Sequence, residues 1–384
     1  MAQQKSRIEE IDYLRGFAIL AVITIHISDN FTHIPNVNLL LTINLIIDVF
    51  SHFAVPLFIC ISGFVLSLKY NSLLSKKSFY KKRAKSILPP YIIFSILYII
   101  LRIIISAING DLRLPSIIKI IYYLLTASSS YHLWYFALII QFYILYPYII
   151  KKYEEFTENN RALYFIGISL IIQLTWIVTK TITEDYLSSV IYLKSITYFN
   201  PVVNNLLERI FLSHIFYFIL GIYACKNYKD VKDRVLKVKQ SSLSIIVLLI
   251  ILVSTGVIST LFIIGIVEYG GYYKIPNSYI IVVGLAEGLI ESLYFPLVFS
   301  ILLLISLKFA SIRNKYTDII LSVGQHSFGI YLIHVFFMQI IIEIIYPHLG
   351  IDYNQWIFYP VLFLLTLLLS YFSVVQYSSY LAVK

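Results

Sequence analysis

Hydrophobic residues fill long, nearly unbroken runs along the chain, with short polar segments between them. A run of about 18 or more apolar residues is long enough to cross the hydrocarbon core of a membrane as a helix. Ten such spans are predicted, near residues 11–30, 40–68, 87–108, 133–150, 162–180, 209–226, 243–266, 280–307, 326–346 and 356–379. The short alternating segments that are typical of a membrane barrel are absent from the sequence. The pattern therefore predicts an all-α, polytopic transmembrane helical bundle of about ten spans.

Composition leads to the same class. Of the 384 residues, 59% are hydrophobic and 13% are charged, whereas soluble domains carry roughly 25% charged residues. Cys60 and Cys225 lie in or at the end of apolar runs without a partner spacing, which indicates neither a disulfide framework nor a metal site. The first span contains Asp12 and Arg15 and lacks a small-residue cleavage site, so it is predicted to be a retained helix and not a signal peptide.

The net charge of +10 matters mainly through its placement. Lys and Arg concentrate in the loops after the second, fourth, sixth and eighth predicted spans, at Lys69, Lys76, Lys77, Lys81, Lys82, Arg83 and Lys85, at Lys151, Lys152 and Arg161, at Lys226, Lys229, Lys232, Arg234, Lys237 and Lys239, and at Lys308, Arg313 and Lys315. Residues 27–44 and 344–360 contain neither Lys nor Arg. Because cytoplasmic loops retain positive charge, these loops and both termini are predicted to be cytoplasmic. Nucleic acid is not expected as a partner.

The longest segments on the opposite side cover residues 109–132, 181–208 and 267–279. The first of them contains a predicted short amphipathic helix over Leu114–Leu125. These segments would serve either as lids over a cavity or as plain connectors. The sequence shows no internal repeat, which disfavours the commonest designs of secondary transporters.

Candidate chemistry begins in the first span, where Asp12, Arg15 and His26 share one helical face. Eleven residues separate Arg15 from His26, which is three helical turns with a drift of about 20°, and Asp12 falls within about 40° of His26. The rise along the axis puts Arg15 and His26 about 16 Å apart. Ionisable groups inside a membrane usually face a cavity or a partner. The alternative is structural, with Arg15 and Asp12 at the interface and His26 hydrogen-bonded to a neighbouring helix.

Five segments, in order along the chain, resemble one family. They are Arg7–His26, with Asp-Tyr-Leu-Arg-Gly followed by His26; Pro56-Leu-Phe-Ile-Cys-Ile-Ser-Gly-Phe64; Phe79-Tyr-Lys-Lys-Arg-Ala-Lys-Ser-Ile-Leu-Pro-Pro-Tyr91; His132-Leu-Trp-Tyr135; and Ser327-Phe-Gly-Ile-Tyr-Leu-Ile-His334. Together they are similar to the acyltransferase-3 family of membrane acyltransferases, nearest to its polysaccharide O-succinyl- and O-acetyltransferase branch. The resemblance implies one transmembrane acyltransferase domain over residues 1–384, with no additional soluble domain.

The resemblance also implies roles for the matched residues. His26 would be the catalytic base, because an imidazole titrates near operating pH, and Arg15 would hold the acyl donor or orient Asp12. Arg83, with Lys82 and Lys85, would bind the phosphates of coenzyme A. Many family members carry a second arginine three residues after the first, where this chain has Ser86. Lys85 is a substitute that cannot bind in a bidentate way.

Several polar residues in other spans are weaker candidates for the lining of a cavity: Trp134, His132, His334, Ser327, Glu287 and Glu291. An aromatic belt explains Trp134 equally well, and helix packing through hydrogen bonds explains Ser327 and His334 at least as well as catalysis. Interfacial solvation is the simpler explanation for Glu287 and Glu291. Asp48 and His52 are four residues apart, and the same two interpretations apply to them: lining of the cavity, or solvation at the membrane interface.

These observations favour a membrane O-acyltransferase that moves an acetyl or succinyl group from cytoplasmic acyl-coenzyme A to a hydroxyl of a cell-surface polysaccharide or glycan. The alternatives are a polysaccharide exporter or flippase, or an ion-coupled transporter that relays protons through the intramembrane His and carboxylates. No tightly bound cofactor is expected, and without a Walker loop direct use of ATP is not expected. The expected surroundings are the lipid of the plasma membrane. A polysaccharide synthase partner and a homodimer are both left open.

Overall fold

The computed structural model describes residues 8–32, 39–71, 73–191, 207, 209–238, 267–268, 271–272, 280–350 and 357–383. Its helices are α1 (Glu9–Thr32), α2 (Leu39–Ser51), α3 (Ala54–Lys69), α4 (Lys76–Ile108), α5 (Ile117–Thr126), α6 (Trp134–Glu158), α7 (Ala162–Ile191), α8 (Ile215–Lys226), α9 (Tyr228–Leu236), α10 (Ile280–Ile312), α11 (Lys315–Gln325), α12 (Ser327–Ile340), α13 (Tyr346–His348) and α14 (Phe358–Val383). Turns of 3₁₀ helix cover Tyr131–Leu133 and Phe211–His214, and a π-helical segment, Ile341–Ile345, joins α12 to α13. Strands β1 (Val267–Glu268) and β2 (Gly271–Tyr272) pair antiparallel, with Val267 opposite Tyr272.

The described part of the chain contains eight helical stretches long and apolar enough to cross a membrane: Glu9–Asn30, Ile46–Lys69, Lys76–Ile108, Tyr131–Glu158, Ala162–Thr183, Gly288–Ile312, Ser327–His348 and Phe358–Ser378. Each coincides with a predicted span, so the chain is a multi-pass helical membrane protein. The predicted span 209–226 is a shorter apolar helix, Phe211–Lys226. The predicted span 243–266 lies outside the described residues, so the count of ten stays a prediction.

The second predicted span, 40–68, is broken in the middle, between α2 and α3. The hydroxyl of Tyr294 donates a hydrogen bond to the main-chain carbonyl of Phe50, at 3.0 Å. That carbonyl would otherwise accept the backbone N–H one turn later, so the bond from α10 favours a break at His52 and Phe53. The unbroken apolar pattern predicted one span, although the sequence carries a signal for the break: Pro56 lies in the first turn of α3 and has no N–H to pair with the carbonyl of His52.

The predicted basic loop after the second span is largely helical, and this expectation was wrong. The helix α4 begins at Lys76 and carries most of the lysines and Arg83 in its first three turns. Lys and Arg are good helix formers, and the extended backbone of Ser75 begins the helix. Pro89 and Pro90 lie inside α4, as is tolerated in membrane helices where neighbours satisfy the freed backbone groups.

The predicted amphipathic helix over Leu114–Leu125 is confirmed as α5, Ile117–Thr126. Ser116 caps it by accepting a hydrogen bond from the backbone N–H of Lys119, at 3.3 Å. The chain leaves the helix through Ala127, which has a left-handed backbone with φ of 55°. Tyr91 ties α5 to α4 by donating to the main-chain carbonyl of Leu124, at 2.6 Å.

Two glycines let pairs of helices approach closely. A Cβ atom added at Gly221 of α8 would lie 1.9 Å from the carbonyl oxygen of Cys60 on α3. A Cβ atom added at Gly324 of α11 would lie 1.8 Å from the carbonyl oxygen of Asp12 on α1. Small residues allow such backbone contacts in membrane bundles, where packing replaces the hydrophobic effect as the main attraction. The second crossing fixes the segment of α1 that carries Asp12 and Arg15.

Ion pairs collect at one end of the bundle, which is called the basic end below. Lys232 of α9 pairs with Glu10 of α1 at 3.0 Å, and Arg313 pairs with Glu9 at 3.3 Å. Lys226 at the end of α8 pairs with Glu154 near the end of α6, at 2.9 Å. The start of α1 therefore lies at the same end as the basic segments around α8, α9 and the end of α10. His26, near the other end of α1, lies toward the opposite end of the bundle.

Candidate active site

The predicted stripe on α1 contains a close ion pair at its basic end. Arg15 donates a hydrogen bond from Nη1 to the Oδ1 atom of Asp12, at 2.9 Å. Asp12 is buried, whereas 31% of the Arg15 side chain is exposed. The pair leaves Arg15 open on one side, so it can orient Asp12 and still contact a ligand. His26 lies three turns further along the same helix, well away from this pair.

Three imidazoles from three separate elements meet around His26. The ring of His26 is stacked on that of His334 of α12, with centroids 5.4 Å apart and planes at 25°. His132, in the 3₁₀ turn before α6, lies 6.2 Å from His26 and 5.1 Å from His334. Tyr131 lies edge-on to His26, with centroids 4.9 Å apart and planes at 71°. The sequence-predicted candidates His26, His132 and His334 therefore form one cluster, called the histidine cluster below.

Hydrogen bonds fix two of the three rings. The Nδ1 atom of His334 lies 2.8 Å from the carbonyl oxygen of Tyr331 and 3.2 Å from that of Ile330. A carbonyl oxygen only accepts, so Nδ1 carries the proton and Nε2 carries the lone pair. His132 is held through Nδ1 by the hydroxyl of Ser130, at 3.0 Å, and its main-chain carbonyl accepts a hydrogen bond from the hydroxyl of Tyr331.

A cavity of about 270 Å³, called the histidine cavity below, opens on the histidine cluster. His26 and His132 line it together with aromatic side chains from several helices. Its other polar and aromatic lining residues include His52, Trp134, Tyr135, His214, Tyr294 and Tyr331. Among the described side chains that line it there is no Asp, Glu, Lys or Arg. Such a site suits a neutral, hydroxyl-bearing ligand that packs on aromatic faces and hydrogen-bonds to imidazoles.

A second cavity, of about 290 Å³, lies on the side of Arg15 and is called the arginine cavity below. Its polar lining consists of Arg15, Ser62, Tyr135, Tyr143, Gln325, Ser327 and Tyr331. Phe58, Tyr135 and Tyr331 line both cavities. The two cavities therefore meet at these three aromatic side chains, with Arg15 in one and His26 in the other.

Arg83 lies near the arginine cavity, whereas Lys82 and Lys85 do not share its surroundings. The guanidinium of Arg83 lies over the rings of Tyr70 and Tyr143, at 5.5 and 5.7 Å from their centroids, and donates to the Tyr70 hydroxyl at 3.1 Å. Tyr143 in turn lines the arginine cavity. Lys82 and Lys85 are exposed on other faces of α4. The structure thus separates an inward arginine from two outward lysines that the sequence had grouped together.

The remaining sequence-predicted candidates are distributed between the two cavities and α10. Trp134 lines the histidine cavity, and Ser327, which is buried, lines the arginine cavity. His52 lies 3.1 Å from the Asp48 carboxylate and also lines the histidine cavity. Glu287 and Glu291 belong to α10, but their side chains lie outside the described residues.

Sequence reasoning missed three contributors to the cavities. His214 lies in the 3₁₀ turn before α8, with its ring 6.1 Å from that of Trp134. Tyr135 and Tyr331 line both cavities, although both fell inside quoted motifs. The only sequence signal for His214 was a histidine at the start of a short apolar run. In the described part of the chain, His, Cys, Asp and Glu side chains form no group that could hold a metal ion.

Comparison with known proteins identifies the family of the chain. A family model described as an acyltransferase domain, of the acyltransferase-3 type, matches residues 8–375. A protein named amino-acid racemase, from Enterococcus faecalis, is 31% identical over 160 residues, which is 41% of this chain. The matched segment spans only 21% of that racemase. No solved structure matches the chain.

Proposed function

The chain belongs to the acyltransferase-3 family of membrane acyltransferases, and we propose that it moves an acyl group from cytoplasmic acyl-coenzyme A to a hydroxyl of a cell-surface polysaccharide or glycan. The acyl group proposed is acetyl or succinyl. The basic end of the bundle would face the cytoplasm, together with both termini, and the membrane would be the plasma membrane. The concentration of Lys and Arg in the segments gathered at that end supports this orientation.

One observation carries the proposal. Two cavities meet inside the helical bundle, one lined by Arg15 on the side of the basic end and the other lined by His26. A donor that enters from the basic end and an acceptor that enters from the other end would come together at Phe58, Tyr135 and Tyr331. Arg15 and His26 are separated by about 16 Å along α1. The extended arm of acyl-coenzyme A would span this distance.

Arg83 and Arg15 would bind the donor. A guanidinium is permanently charged and pairs with phosphate oxygens through a planar fork. Arg83 lies beside Tyr143, at the edge of the arginine cavity, and its Nε atom is buried without a hydrogen-bond partner in the described structure. The exposed Lys82 and Lys85 would add positive potential at the entrance. Arg15 would contact the donor nearer the thioester, with Asp12 holding its guanidinium.

His26 would act as the general base. The acceptor hydroxyl attacks the thioester carbonyl while His26 takes its proton. The C–S bond then breaks, the ester forms, and the thiolate of coenzyme A receives the same proton from the His26 imidazolium. Atoms and charge balance without a further reactant. The lining of the histidine cavity, which is aromatic and uncharged among the described side chains, supports a carbohydrate acceptor.

Purified protein in lipid nanodiscs tests the proposal with radiolabelled acetyl- and succinyl-coenzyme A and an oligosaccharide acceptor. We expect acyl transfer to the acceptor, and its loss in His26→Ala. His348→Ala is a matched control, because this histidine is exposed and its Nδ1 contacts the carbonyl of Ile344, at 2.8 Å. Mass spectrometry of surface glycans from cells with and without the protein should show a difference of one acyl unit. Turnover that survives His26→Ala would rule out the base assignment.

A second candidate is an ion-coupled transporter, because three clustered imidazoles inside a membrane protein are also suited to a proton relay. Such a protein would move its substrate across vesicle membranes in the absence of acyl-coenzyme A. Transport under that condition, without acyl transfer, would favour the transporter over the enzyme. The polysaccharide exporter or flippase hypothesis makes the same prediction for a glycan substrate.

A further inference from the structure

His334 carries a buried acceptor atom that the acyl transfer described above does not use. Its side chain is fully buried, and it is outside the lining of both cavities. The Nε2 atom bears the lone pair, because Nδ1 is committed to two backbone carbonyls. No group among the described residues hydrogen-bonds to this Nε2. Buried polar atoms are nearly always paired, so an unpaired acceptor inside a bundle calls for an explanation.

The neighbours of His334 show which group can use this acceptor. His26 is stacked on His334, with centroids 5.4 Å apart. His132 is the other neighbouring imidazole, with its ring edge-on to His334 at 5.1 Å and 72°; its Nδ1 contacts Ser130, and its Nε2 is also buried without a hydrogen-bond partner among the described residues. His26 differs from His132 in being the base of the proposed reaction, so its orientation bears directly on catalysis. The third ring neighbour, Tyr331, has its hydroxyl committed to the main-chain carbonyl of His132. Of these rings, His26 is the one that is stacked on His334 and also lines the histidine cavity.

We propose that His334 is a positioning residue, whose Nε2 atom accepts a hydrogen bond from one N–H of His26 and thereby directs the lone pair of the other His26 nitrogen into the histidine cavity. Stacked rings do not hydrogen-bond face to face, so His26 turns about its Cβ–Cγ bond to make the contact. That torsion is broad in histidine, and the turn requires no backbone movement. The inference rests on the proposed function, in which His26 is the base.

The arrangement follows the logic of a base held by a second group in one tautomer. When His26 takes the proton of the acceptor hydroxyl, it carries two N–H groups. One remains bonded to Nε2 of His334, and the other delivers the proton to the leaving thiolate. His334 gains and loses no proton in this sequence.

Two variants of His334 distinguish the role of its Nδ1 atom from the role of its Nε2 atom. In His334→Asn the amide N–H replaces the Nδ1 donor and no atom replaces Nε2. In His334→Gln the longer side chain places an amide oxygen near the position of Nε2, where it can accept. His326→Asn is the matched control, because the Nδ1 atom of His326 also contacts a carbonyl one turn back, that of Ser322 at 2.8 Å, and its ring neighbour is Tyr371 and not His26.

The first readout is the rate at which diethyl pyrocarbonate modifies His26, followed by mass spectrometry of the His26 peptide. This reaction reports the orientation and nucleophilicity of the exposed His26 nitrogen, whether or not the protein transfers acyl groups. We expect His334→Asn to slow the modification about tenfold, the worth of one lost hydrogen bond. His334→Gln and His326→Asn should stay within about threefold of wild type.

The second readout is acyl transfer, where His334→Asn should lower kcat tenfold or more and leave the KM for acyl-coenzyme A unchanged. Equal losses in His334→Asn and His334→Gln, or no loss in either, would overturn the positioning role. A change in the KM for acyl-coenzyme A with unchanged kcat would also overturn it. One outcome separates the two ideas. If the variants show the predicted rates of His26 modification but wild type transfers no acyl group, the positioning role is retained and the proposed function is rejected.

Discussion

The close crossing of α1 and α11 beside the arginine cavity gives a sharp prediction for Gly324→Ala. A Cβ atom at this position would lie 1.8 Å from the carbonyl oxygen of Asp12 and 2.9 Å from the backbone nitrogen of Gly16, whereas real Cβ contacts are essentially never under 3.0 Å. Both contacts are backbone atoms, which cannot rotate away. The helices α1 and α11 must therefore separate by about 1 Å or more, and such overpacking costs about 1–3 kcal/mol.

The same movement should affect function, because Gly324 and Arg15 both line the arginine cavity. A misplacement of about 1 Å can lower a rate by roughly a hundredfold. We expect kcat/KM for acyl-coenzyme A to fall by about tenfold to a hundredfold in the fraction of Gly324→Ala that remains folded. Thermal unfolding in detergent measures the stability, and initial rates against acyl-coenzyme A measure the function.

Two other glycines serve as comparators. A Cβ atom at Gly221 would lie 1.9 Å from the carbonyl oxygen of Cys60, so Gly221→Ala should lower the stability without a selective effect on the donor. Gly167 has nothing within 4 Å of the added Cβ, so Gly167→Ala should be neutral or stabilise α7 by about 0.5–1 kcal/mol. The reasoning is refuted if Gly324→Ala unfolds at the same temperature as Gly167→Ala and keeps wild-type kcat/KM.

Two further substitutions test the donor site and the packing of α12. Arg83→Gln should raise the KM for acyl-coenzyme A about tenfold, since a hydrogen bond to a charged group is worth about 1.5–3 kcal/mol, whereas Lys82→Gln and Lys85→Gln should change it less than threefold in the same assay. Tyr98→Phe should lower the stability by about 1–3 kcal/mol, measured by thermal unfolding, because the Tyr98 hydroxyl donates to the Leu332 carbonyl at 2.8 Å and accepts from the Phe336 N–H at 3.1 Å.

The helices were predictable from the sequence because membrane spans depend on local composition. Length and apolarity alone set the runs that became α1, α7 and α14, and an amphipathic pattern was enough for α5. The break between α2 and α3 has one local signal, Pro56 in the first turn of α3, and one contact that no local pattern encodes, the hydrogen bond from Tyr294. The basic segment after the second span is helical from Lys76, because Lys and Arg favour helix, so a cluster of charges between two apolar runs does not by itself indicate a loop.

The candidate site shows the same division between local and long-range information. Helical periodicity placed Asp12, Arg15 and His26 on one stripe, and the structure assigns Arg15 and His26 to the two cavities that meet at Tyr135. That His132 and His334 lie beside His26 depends on how three separate elements pack, which no spacing within one segment encodes. The contribution of His214 has the same origin, because a 3₁₀ turn far along the chain carries it to the cavity.

The central claim is that donor and acceptor reach His26 from opposite faces of the membrane. Proteoliposomes with one verified orientation test it most directly, with radiolabelled acyl-coenzyme A added to one face and an impermeant oligosaccharide confined to the other. We predict transfer when acyl-coenzyme A is on the face that exposes Lys82 and Lys85, and none when the two substrates are exchanged or when His26→Ala replaces wild type. Equal transfer with both substrates on one face, or undiminished transfer by His26→Ala, would contradict the claim.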